Sequence, residues 1–548
     1  MLTKITPIPK NLTVGRKKLA IGKVGKANFK VISKKLGGEL SKNALAELYR
    51  GLSLAVGVPA EEADGEVSIK LEISSRIPEC VLKNADQAYK ITVNKNGITL
   101  TGYGEAGAYY AVTTLLQTVE VVDNVVCVPE MKMVDYPDLK TRGHFLETRY
   151  GSNLMTLEDW KEVVDNAASM KHNQIVVSLY GCWQIQYDGV ITEYVYIPIP
   201  KYPLLKSDVI KKYYSPKKGG WVNEVVEVPM VKEDFFGELI AYGKSKGVEV
   251  FPLWNSYGHN TLIPRMYPET APIVDGEPQK VGFCVSSPKT YELLFNIYDY
   301  IIDKYLEPNG IKSFHIGLDE VRDERGIDLE NPSKLYTPLC QCPDCKKLSK
   351  QEKMIGHAIK LISHLKERGI KNVYMYNDIL SRIFNDPVSF YNALKEADLL
   401  DVTVVDWWCY SDSEEDFKIY NLTSTFPELG IRSTVKPWNS YFHWNLSRDA
   451  VKNIFLMTKL ANRDKNVEGL MSYAAWDKTC DINHVAMADF SWSYALTGST
   501  DDFRENYAYR LFPNNRKLAK GAFAMYKEIT DDKVFFNALA YYQYSYYK

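Results

Sequence analysis

Two adjacent carboxylates, Asp319 and Glu320, are the residues of this sequence best placed to do chemistry. They lie in the run Phe314-His-Ile-Gly-Leu-Asp-Glu-Val321, where we expect them to follow a short strand at its carboxyl end. Neighbouring carboxylates perturb each other, and one can stay ionised while the other holds a proton as an acid. Glycosidic bond cleavage needs such a donor and a negative group that stabilises oxocarbenium charge. The alternative is a solvated acidic turn paired to Arg322 and Arg325.

A second group of reactive side chains is a Cys-Gln-Cys-Pro-Asp-Cys run. Its thiols, Cys340, Cys342 and Cys345, can ligate a structural Zn²⁺ if a fourth ligand arrives from elsewhere. Cys182, Cys284 or a histidine are the candidates for that ligand. The alternative is three reduced cysteines in a loop.

The segments that would position these residues alternate between strand-like and helix-like patterns. Amphipathic helical patterns follow several of the apolar strand-like runs, as in Thr156–Met170, in Asp234–Lys246 before Gly247, and in the helix that Ser287-Pro288 is expected to cap. Such repetition predicts a (β/α)8 barrel, whose catalytic groups lie at the carboxyl ends of strands. An open doubly wound sheet is disfavoured, because no Gly-rich phosphate loop follows a strand. The predicted barrel strands are Arg142–Leu146, Ile175–Leu179, Val248–Trp254, Ile311–Ile316, 372–376, 401–407, Arg432–Lys436 and Gly469–Tyr473.

The flanking segments predict two further units in this α/β chain. Gly65–Ser74, Ala88–Val93 and Ile98–Gly102 alternate apolar and polar residues, and Glu105–Val119 has helical periodicity. The tyrosine-rich end of the chain is interpreted as helical packing. The expected units are an N-terminal α+β domain, a catalytic barrel and a C-terminal helical extension, at 1–134, 135–500 and 501–548.

One insertion interrupts the barrel pattern. Gln184–Asp234 holds five prolines among Tyr and Val residues and follows the second predicted strand. It is therefore expected at the C-terminal mouth of the barrel, where loops shape substrate pockets. The alternative is a surface hairpin or an oligomer contact. A homo-oligomer is therefore one of the possible assemblies.

The composition favours a soluble multidomain protein with a neutral ligand. The 548 residues are 45% hydrophobic and 25% charged, with a formal net charge of −1, so no long-range field favours nucleic acid or an anionic membrane. The N-terminus has no apolar core of signal-peptide type, and the chain has no apolar run of about 18 residues. The nine cysteines are an odd, mostly scattered set, as in proteins of reducing compartments. We expect a cytoplasmic protein.

The run from His315 to Val321 resembles the active-site signature of glycoside hydrolase family 20, the β-N-acetylhexosaminidases. Residues 89–119 resemble the end of that family's N-terminal domain. Asp135–Arg149 is similar to its first barrel strand, and Lys246–Pro252 with Gly258-His259 to its third. The resemblance runs in order over residues 5–500. It implies that the chain removes terminal β-linked GlcNAc or GalNAc from an oligosaccharide or glycoconjugate, without a catalytic cofactor.

The resemblance also implies substrate-assisted retention, an exception to the two-carboxylate scheme. The substrate's acetamide oxygen would attack the anomeric carbon and give an oxazolinium intermediate. Glu320 would protonate the leaving oxygen and later activate water, while Asp319 would orient the acetamide. Tyr441 would hold the acetamide oxygen. Arg149 would bind sugar hydroxyls with its donor fork, with a barrel-mouth salt bridge as its alternative.

The remaining sugar-binding candidates lie near predicted strand ends. Tryptophans there would form an aromatic box, with Trp476 and one of Trp407 and Trp408 preferred. The alternative for each ring is core packing. His315 is expected to support the site from within its strand. The candidates are His259, Trp407, Trp408, Trp438, Trp476 and Asp477.

Several positions depart from the family pattern. Leu318 replaces a small residue or Met, and no Asp stands near Tyr180–Trp183. Asp378 and Lys478 fall where a Trp-x-Glu is frequent. These departures leave the catalytic pair intact, but they do not define which sugar configuration the site recognises. They keep open the alternative of a non-catalytic carbohydrate-binding barrel. A second alternative is a metal-dependent barrel enzyme that would use His315, Asp319 and Glu320 as ligands.

Overall fold

Two β-sheets, one open and one closed, organise the chain. The computed structural model describes residues 5–146, 154–180, 193, 195–205, 208–321, 325–326, 333–381, 386–419, 429–439, 450–474, 481–513 and 515–531.

The open sheet belongs to the N-terminal part of the chain and has eight strands with mixed directions. Two helices, α1 (Glu39–Val56) and α2 (Glu105–Thr118), pack against each other, and α2 contacts the middle of the sheet. The predicted α+β fold is confirmed. The strands are β1 Leu12–Lys23, β2 Lys26–Ala27, β3 Phe29–Lys34, β4 Val67–Ile73, β5 Tyr89–Asn94, β6 Gly97–Gly102, β7 Glu120–Val122 and β8 Val125–Asp135. Their order is β2-β1-β8-β5-β6-β4-β3, with β7 paired to β8.

The closed sheet is a barrel of eight parallel strands, as the sequence predicts. Every residue of the strand at 174–180 is buried, as expected when helices cover a parallel sheet. The barrel strands, in spatial order, are β9 Thr141–Leu146, β10 Gln174–Tyr180, β13 Glu249–Trp254, β16 Ser313–His315, β19 Asn372–Tyr376, β20 Thr403–Trp408, β21 Arg432–Lys436 and β22 Val467–Ala474.

Helices follow the barrel strands, and some of them begin with a side-chain cap. Thr156 and Ser349 form capping boxes with Asp159 and Glu352, which satisfy backbone N–H groups of the first turn. The side-chain cap predicted at Ser287 is wrong, because its hydroxyl donates to the carbonyl of Glu269 instead. These helices are α3 Leu157–Ser169, α5 Phe236–Ser245, α7 Pro288–Ile301, α8 Lys350–Glu367, α9 Pro387–Glu396, α10 Glu414–Ile419, α11 Val451–Arg463 and α12 Asp481–Thr497.

Short strands and helices lie within the loops at the carboxyl ends of three barrel strands. After β10, the chain returns to pair Val195 with Tyr180, and Ile197 and Ile199 are buried. This places the described residues 195–199 of the insertion beside the carboxyl end of β10, as expected; an oligomer contact there stays a prediction. The short elements are β11 Asp208–Ser215, β12 Gly220–Glu227 and α4 Pro229–Glu233 after β10; α6 Leu262–Met266, β14 Ile273–Val274 and β15 Glu277–Pro278 after β13; and β17 Arg325–Gly326 and β18 Leu335–Tyr336 after β16.

A buried polar network joins the open sheet to the barrel. Asp135, the last residue of β8, accepts hydrogen bonds from Tyr89 (2.7 Å) and from the indole of Trp492 on α12 (3.0 Å). The Lys171 ammonium lies 4.7 Å from the centre of the Trp492 ring, and burial lowers its pKa to about 8. The expected boundary at 134/135 thus falls within a tightly bonded junction.

The chain continues past the barrel as two helices, α13 (Thr500–Leu511) and α14 (Arg516–Asp531), as predicted. Phe503 of α13 packs against Phe490 of α12, with ring centres 5.5 Å apart. The tyrosine-rich end at 538–547 lies outside the described residues. None of the helices in the described ranges has the length and apolar character needed to cross a bilayer.

Candidate active site

The Asp319–Glu320 pair lies in a tight turn at the carboxyl end of β16. Leu318 and Glu320 both have positive φ, 73° and 47°, a conformation that costs energy for any residue but glycine. Two hydrogen bonds hold the turn: Tyr376 N–H donates to Gly317 O (2.9 Å), and Glu320 N–H donates to Asp378 Oδ1 (3.0 Å). The Asp319 and Glu320 side chains remain 23% and 17% exposed, so a ligand at the barrel mouth can reach both.

His259 contacts both carboxylates of the pair. Its Nε2 lies 3.2 Å from Asp319 Oδ2 and 3.3 Å from Glu320 Oε2, and its ring is 6% exposed. The loop after β13 brings it there, and Gly258 permits the approach: a Cβ on Gly258 would lie 1.6 Å from the Asp319 carbonyl oxygen. The structure therefore unites the predicted pair with the predicted histidine.

Two further polar residues complete the cluster, and sequence reasoning did not assign either of them a role. The Asn255 amide donates to Asp319 Oδ1. Asp378 accepts the backbone N–H of Glu320 and, at 2.6 Å, the indole N–H of Trp408. Asn255 follows β13 and Asp378 follows β19 within two residues. A polar residue just past a barrel strand was the available signal.

The electrostatics of the cluster favour protonation of Asp378. Burial, the negative charge of Asp319 and, more weakly, that of Glu320 raise the pKa of Asp378 to about 7, although the Trp408 indole and the Glu320 N–H oppose the shift. Carboxylates this close do not all ionise together. Near neutral pH the site therefore holds an exchangeable proton beside the catalytic pair.

We predict that Asp378→Asn removes a contribution to stability that falls as pH rises. The folded-state pKa near 7 exceeds the unfolded value of about 3.9, so the stabilising contribution of protonated Asp378 should be lost from the wild-type chain as pH rises from about 4 to about 7. The Asp378 contribution should lower the free energy of unfolding in urea by about 2–3 kcal/mol between pH 5 and pH 8 in the wild type, and this part of the change should be missing in the variant. Buried histidines such as His357, whose pKa burial lowers to about 4, make stability rise with pH instead. Because both proteins contain them, their contributions cancel when the variant is compared with the wild type. An unchanged difference between the two pH values would contradict the assignment, and exposed Asp303→Asn is the control.

A buried ion pair lies inside the barrel close to the catalytic turn. Lys436 Nζ is 2.8 Å from Asp406 Oδ2, both side chains are 0% exposed, and Thr434 donates to the other Asp406 oxygen at 2.9 Å. Burial opposes ionisation of Asp406, yet Lys436 and then His315 hold the Asp406 pKa below its usual value. His315 Nε2 lies 3.6 Å from Asp406, and its Nδ1 accepts the Gly317 N–H. His315 thus contacts the turn from below, as its expected supporting role requires.

We predict that Lys436→Met destabilises the fold by about 3–5 kcal/mol, because it leaves the Asp406 carboxylate buried without its cation. The double variant Asp406→Asn/Lys436→Met should lose less, since both charges are gone. Lys366→Met, which breaks surface pairs to Asp398 and Asp401, should change stability by no more than about 1 kcal/mol. Chemical denaturation of the three variants tests this, and equal losses for the single and double variants would contradict it.

The structure separates the two neighbouring tryptophans of β20. Trp408 shares its strand face with Asp406 and bonds Asp378, whereas Trp407 lies on the opposite face, is 2% exposed and donates to Ser433. Trp407 therefore faces away from the pair, which favours Trp408 as the one of the two tryptophans that could contact a sugar. Trp438 is 1% exposed. The other candidates, Arg149, Tyr441, Trp476 and Asp477, lie outside the described residues.

The structure also locates the residues that were predicted as metal ligands. His315 contacts Asp406 and not a shared centre with Asp319 and Glu320, which disfavours the metal-dependent alternative. Across the described ranges, the group of His, Cys, Asp and Glu side chains that converges as metal ligands do is made of Cys340, Cys342 and Cys345 with Cys284. Cys182, the other cysteine proposed as the fourth ligand, lies outside the described residues.

Two family models match the chain. Residues 153–420 match the model described as "Glycosyl hydrolase family 20, catalytic domain", and residues 2–136 match "Glycosyl hydrolase family 20, domain 2". Together the matches include both the open sheet and the barrel strands that carry the pair.

Curated relatives are similar over part of their length. A beta-hexosaminidase of Akkermansia muciniphila is 23% identical over 308 residues, which are 53% of this chain and 55% of that protein. A beta-N-acetylhexosaminidase of Cellulomonas fimi is 23% identical over 261 residues, 46% of this chain and 47% of that protein. The chain thus spans about half the length of these relatives.

Solved structures share the fold over nearly the whole chain. An exo-beta-N-acetylglucosaminidase of Vibrio harveyi in complex with N-acetylglucosamine has a TM-score of 0.65 at 16% identity, covering 97% of this chain and 78% of that one. A beta-N-acetylhexosaminidase of Bacteroides fragilis has a TM-score of 0.64 at 18% identity, covering 93% and 95%. At these identities the likeness concerns the fold.

Proposed function

This chain belongs to glycosyl hydrolase family 20, and from that premise we propose that it is an exo-acting β-N-acetylhexosaminidase. Its substrate would be an oligosaccharide or glycoconjugate that ends in β-linked GlcNAc or GalNAc. The observation that carries the proposal is the contact of His259 with both Asp319 and Glu320 at the mouth of the barrel.

The proposed reaction uses Glu320 twice. Its carboxylic acid gives a proton to the glycosidic oxygen while the acetamide oxygen of the substrate bonds to C1 and the C1–leaving-group bond breaks. Water then attacks C1 and loses a proton to the Glu320 carboxylate, and the bond between C1 and the acetamide oxygen breaks. Two inversions give net retention, and the enzyme needs neither its own nucleophile nor a cofactor.

Asp319 supplies the negative group of the proposed site. Its carboxylate accepts from Asn255 and lies 3.2 Å from His259 Nε2, so it is fixed before substrate arrives. Such a preorganised charge stabilises the positive charge that develops on the acetamide nitrogen in the oxazolinium-like transition state. His259 and Asn255 are thus proposed as positioning residues for Asp319.

Sugar recognition is proposed around Trp408. Its indole is half-buried and anchored to Asp378, so the exposed part of the ring can pack on the apolar face of a pyranose. Arg149, Tyr441, Trp438, Trp476 and Asp477 remain proposed contacts by resemblance to the family. We also propose that the protein acts in a reducing compartment such as the cytoplasm, because its nine cysteines are an odd, mostly scattered set.

The test is a panel of four p-nitrophenyl β-glycosides, those of GlcNAc, GalNAc, glucose and galactose. We expect turnover of one or both N-acetyl sugars and none of glucose or galactose, which lack the acetamide. No turnover of any N-acetylhexosaminide would overturn the proposal, and a folded chain that still bound GlcNAc would then be a carbohydrate-binding barrel.

A further inference from the structure

Four cysteines from two distant segments meet beside the loop that carries His259. Cys284 comes from the segment after β15, whereas Cys340, Cys342 and Cys345 come from the segment after β18. The four Sγ atoms all lie within 4.8 Å of one another. Cys284, Cys340 and Cys345 are buried, and Cys342 is partly exposed.

The spacing of these sulfur atoms matches tetrahedral zinc. A Zn–S bond of about 2.3 Å in a tetrahedron places neighbouring sulfurs about 3.8 Å apart. The Cys284 Sγ lies 3.5 Å from that of Cys340, 3.8 Å from that of Cys342 and 3.9 Å from that of Cys345. We infer that these four thiolates bind one structural Zn²⁺, with Cys284 as the fourth ligand.

The surroundings of the sulfurs suit thiolates. The backbone N–H groups of Ile273 and Cys342 donate to Cys340 Sγ at 3.3 and 3.4 Å, and the Ser286 hydroxyl lies 3.1 Å from Cys345 Sγ. The Lys353 ammonium, 3.1 Å from the Cys340 carbonyl oxygen, adds positive charge close by. Four thiolates around Zn²⁺ carry a net charge of −2, and such donors stabilise that charge.

The ion would have a structural role. Four sulfur ligands leave no open position for water or substrate, which is the arrangement of structural zinc sites. The segment that carries Cys340 is already bonded to the chain between β13 and β15, since Gln341 N–H donates to Ile273 O (2.7 Å) and the Tyr257 hydroxyl donates to Pro338 O (2.6 Å). Tyr257 is two residues from His259, so zinc would fix the loop that presents the histidine. The inference concerns metal binding and stability and does not rest on the proposed reaction.

Metal content of the full-length chain is the test. We would produce the protein in zinc-supplemented medium, purify it with a thiol reductant and no chelator, and measure metals by inductively coupled plasma mass spectrometry. We expect about one zinc per chain, and less than about 0.1 in Cys284→Ser, whose melting temperature should fall by at least about 5 °C. The matched control Cys80→Ser removes an exposed thiol elsewhere and should keep the zinc.

Wild-type measurements decide the matter if Cys284→Ser fails to fold. Cobalt exchanged into the intact protein should show the visible bands of a tetrahedral ion and strong thiolate-to-cobalt charge transfer. Wild-type protein without stoichiometric zinc, iron in its place, a Cys284–Cys340 disulfide in peptide maps, or full zinc retention by folded Cys284→Ser would each overturn the inference.

Discussion

Glu320→Gln is expected to lower kcat/KM for a GlcNAc disaccharide by about 10³-fold, within the range that general acid catalysis contributes. The amide keeps the size of the side chain but has no proton of suitable acidity to give. The loss should be smaller for the p-nitrophenyl glycoside, whose leaving group departs without protonation.

This difference between leaving groups separates an acid from a structural residue. A fold defect would lower both rates equally, whereas loss of the acid affects the poor leaving group most. Glu292→Gln, an exposed residue of α7 paired with Lys289, makes the same chemical change away from the site and should stay within about twofold of wild type. Equal losses on both substrates would refute the role given to Glu320.

Asp319→Asn is expected to lower kcat by about 10²–10³-fold on both substrates, because it removes the charge that stabilises the acetamide in the transition state. The variant should also bind a thiazoline mimic of the oxazolinium more weakly, by a similar factor. Asp303→Asn, an exposed carboxylate paired with Arg368, is the control.

The thiazoline distinguishes this role from a structural one. If Asp319→Asn lost activity but bound the thiazoline as tightly as wild type, Asp319 would not act on the acetamide. Full activity in this variant would remove Asp319 from the mechanism.

The sequence predicted the barrel well because its signals are local. Several buried strands contain an apolar run and several helices show their own periodicity, so Ile175–Leu179 and Thr156–Met170 could be recognised separately. The position of Asp319 and Glu320 followed from the rule that barrel sites lie at the carboxyl ends of strands.

The contacts within the site were harder to predict from the sequence, because they join residues far apart in the chain. The approach of His259 to the pair depends on Gly258 passing close to the Asp319 carbonyl. The raised pKa of Asp378 depends on burial and on the charges of Asp319 and Glu320, which lie far away in the chain. Trp407 and Trp408 could have been separated by strand alternation from Asp406, which shares the inward face with Trp408. The choice of Cys284 over Cys182 and the histidines needed the fold.

The central claim is that the substrate's own acetamide attacks C1 in a site built on Asp319 and Glu320. The direct test compares kcat/KM for p-nitrophenyl glucosaminides that carry acetyl, fluoroacetyl, difluoroacetyl and trifluoroacetyl groups, since each fluorine makes the carbonyl oxygen a weaker nucleophile. Our account predicts a progressive fall, by at least about 100-fold over the series. Rates that stay level across the series would contradict it and show that an enzyme group attacks C1 instead.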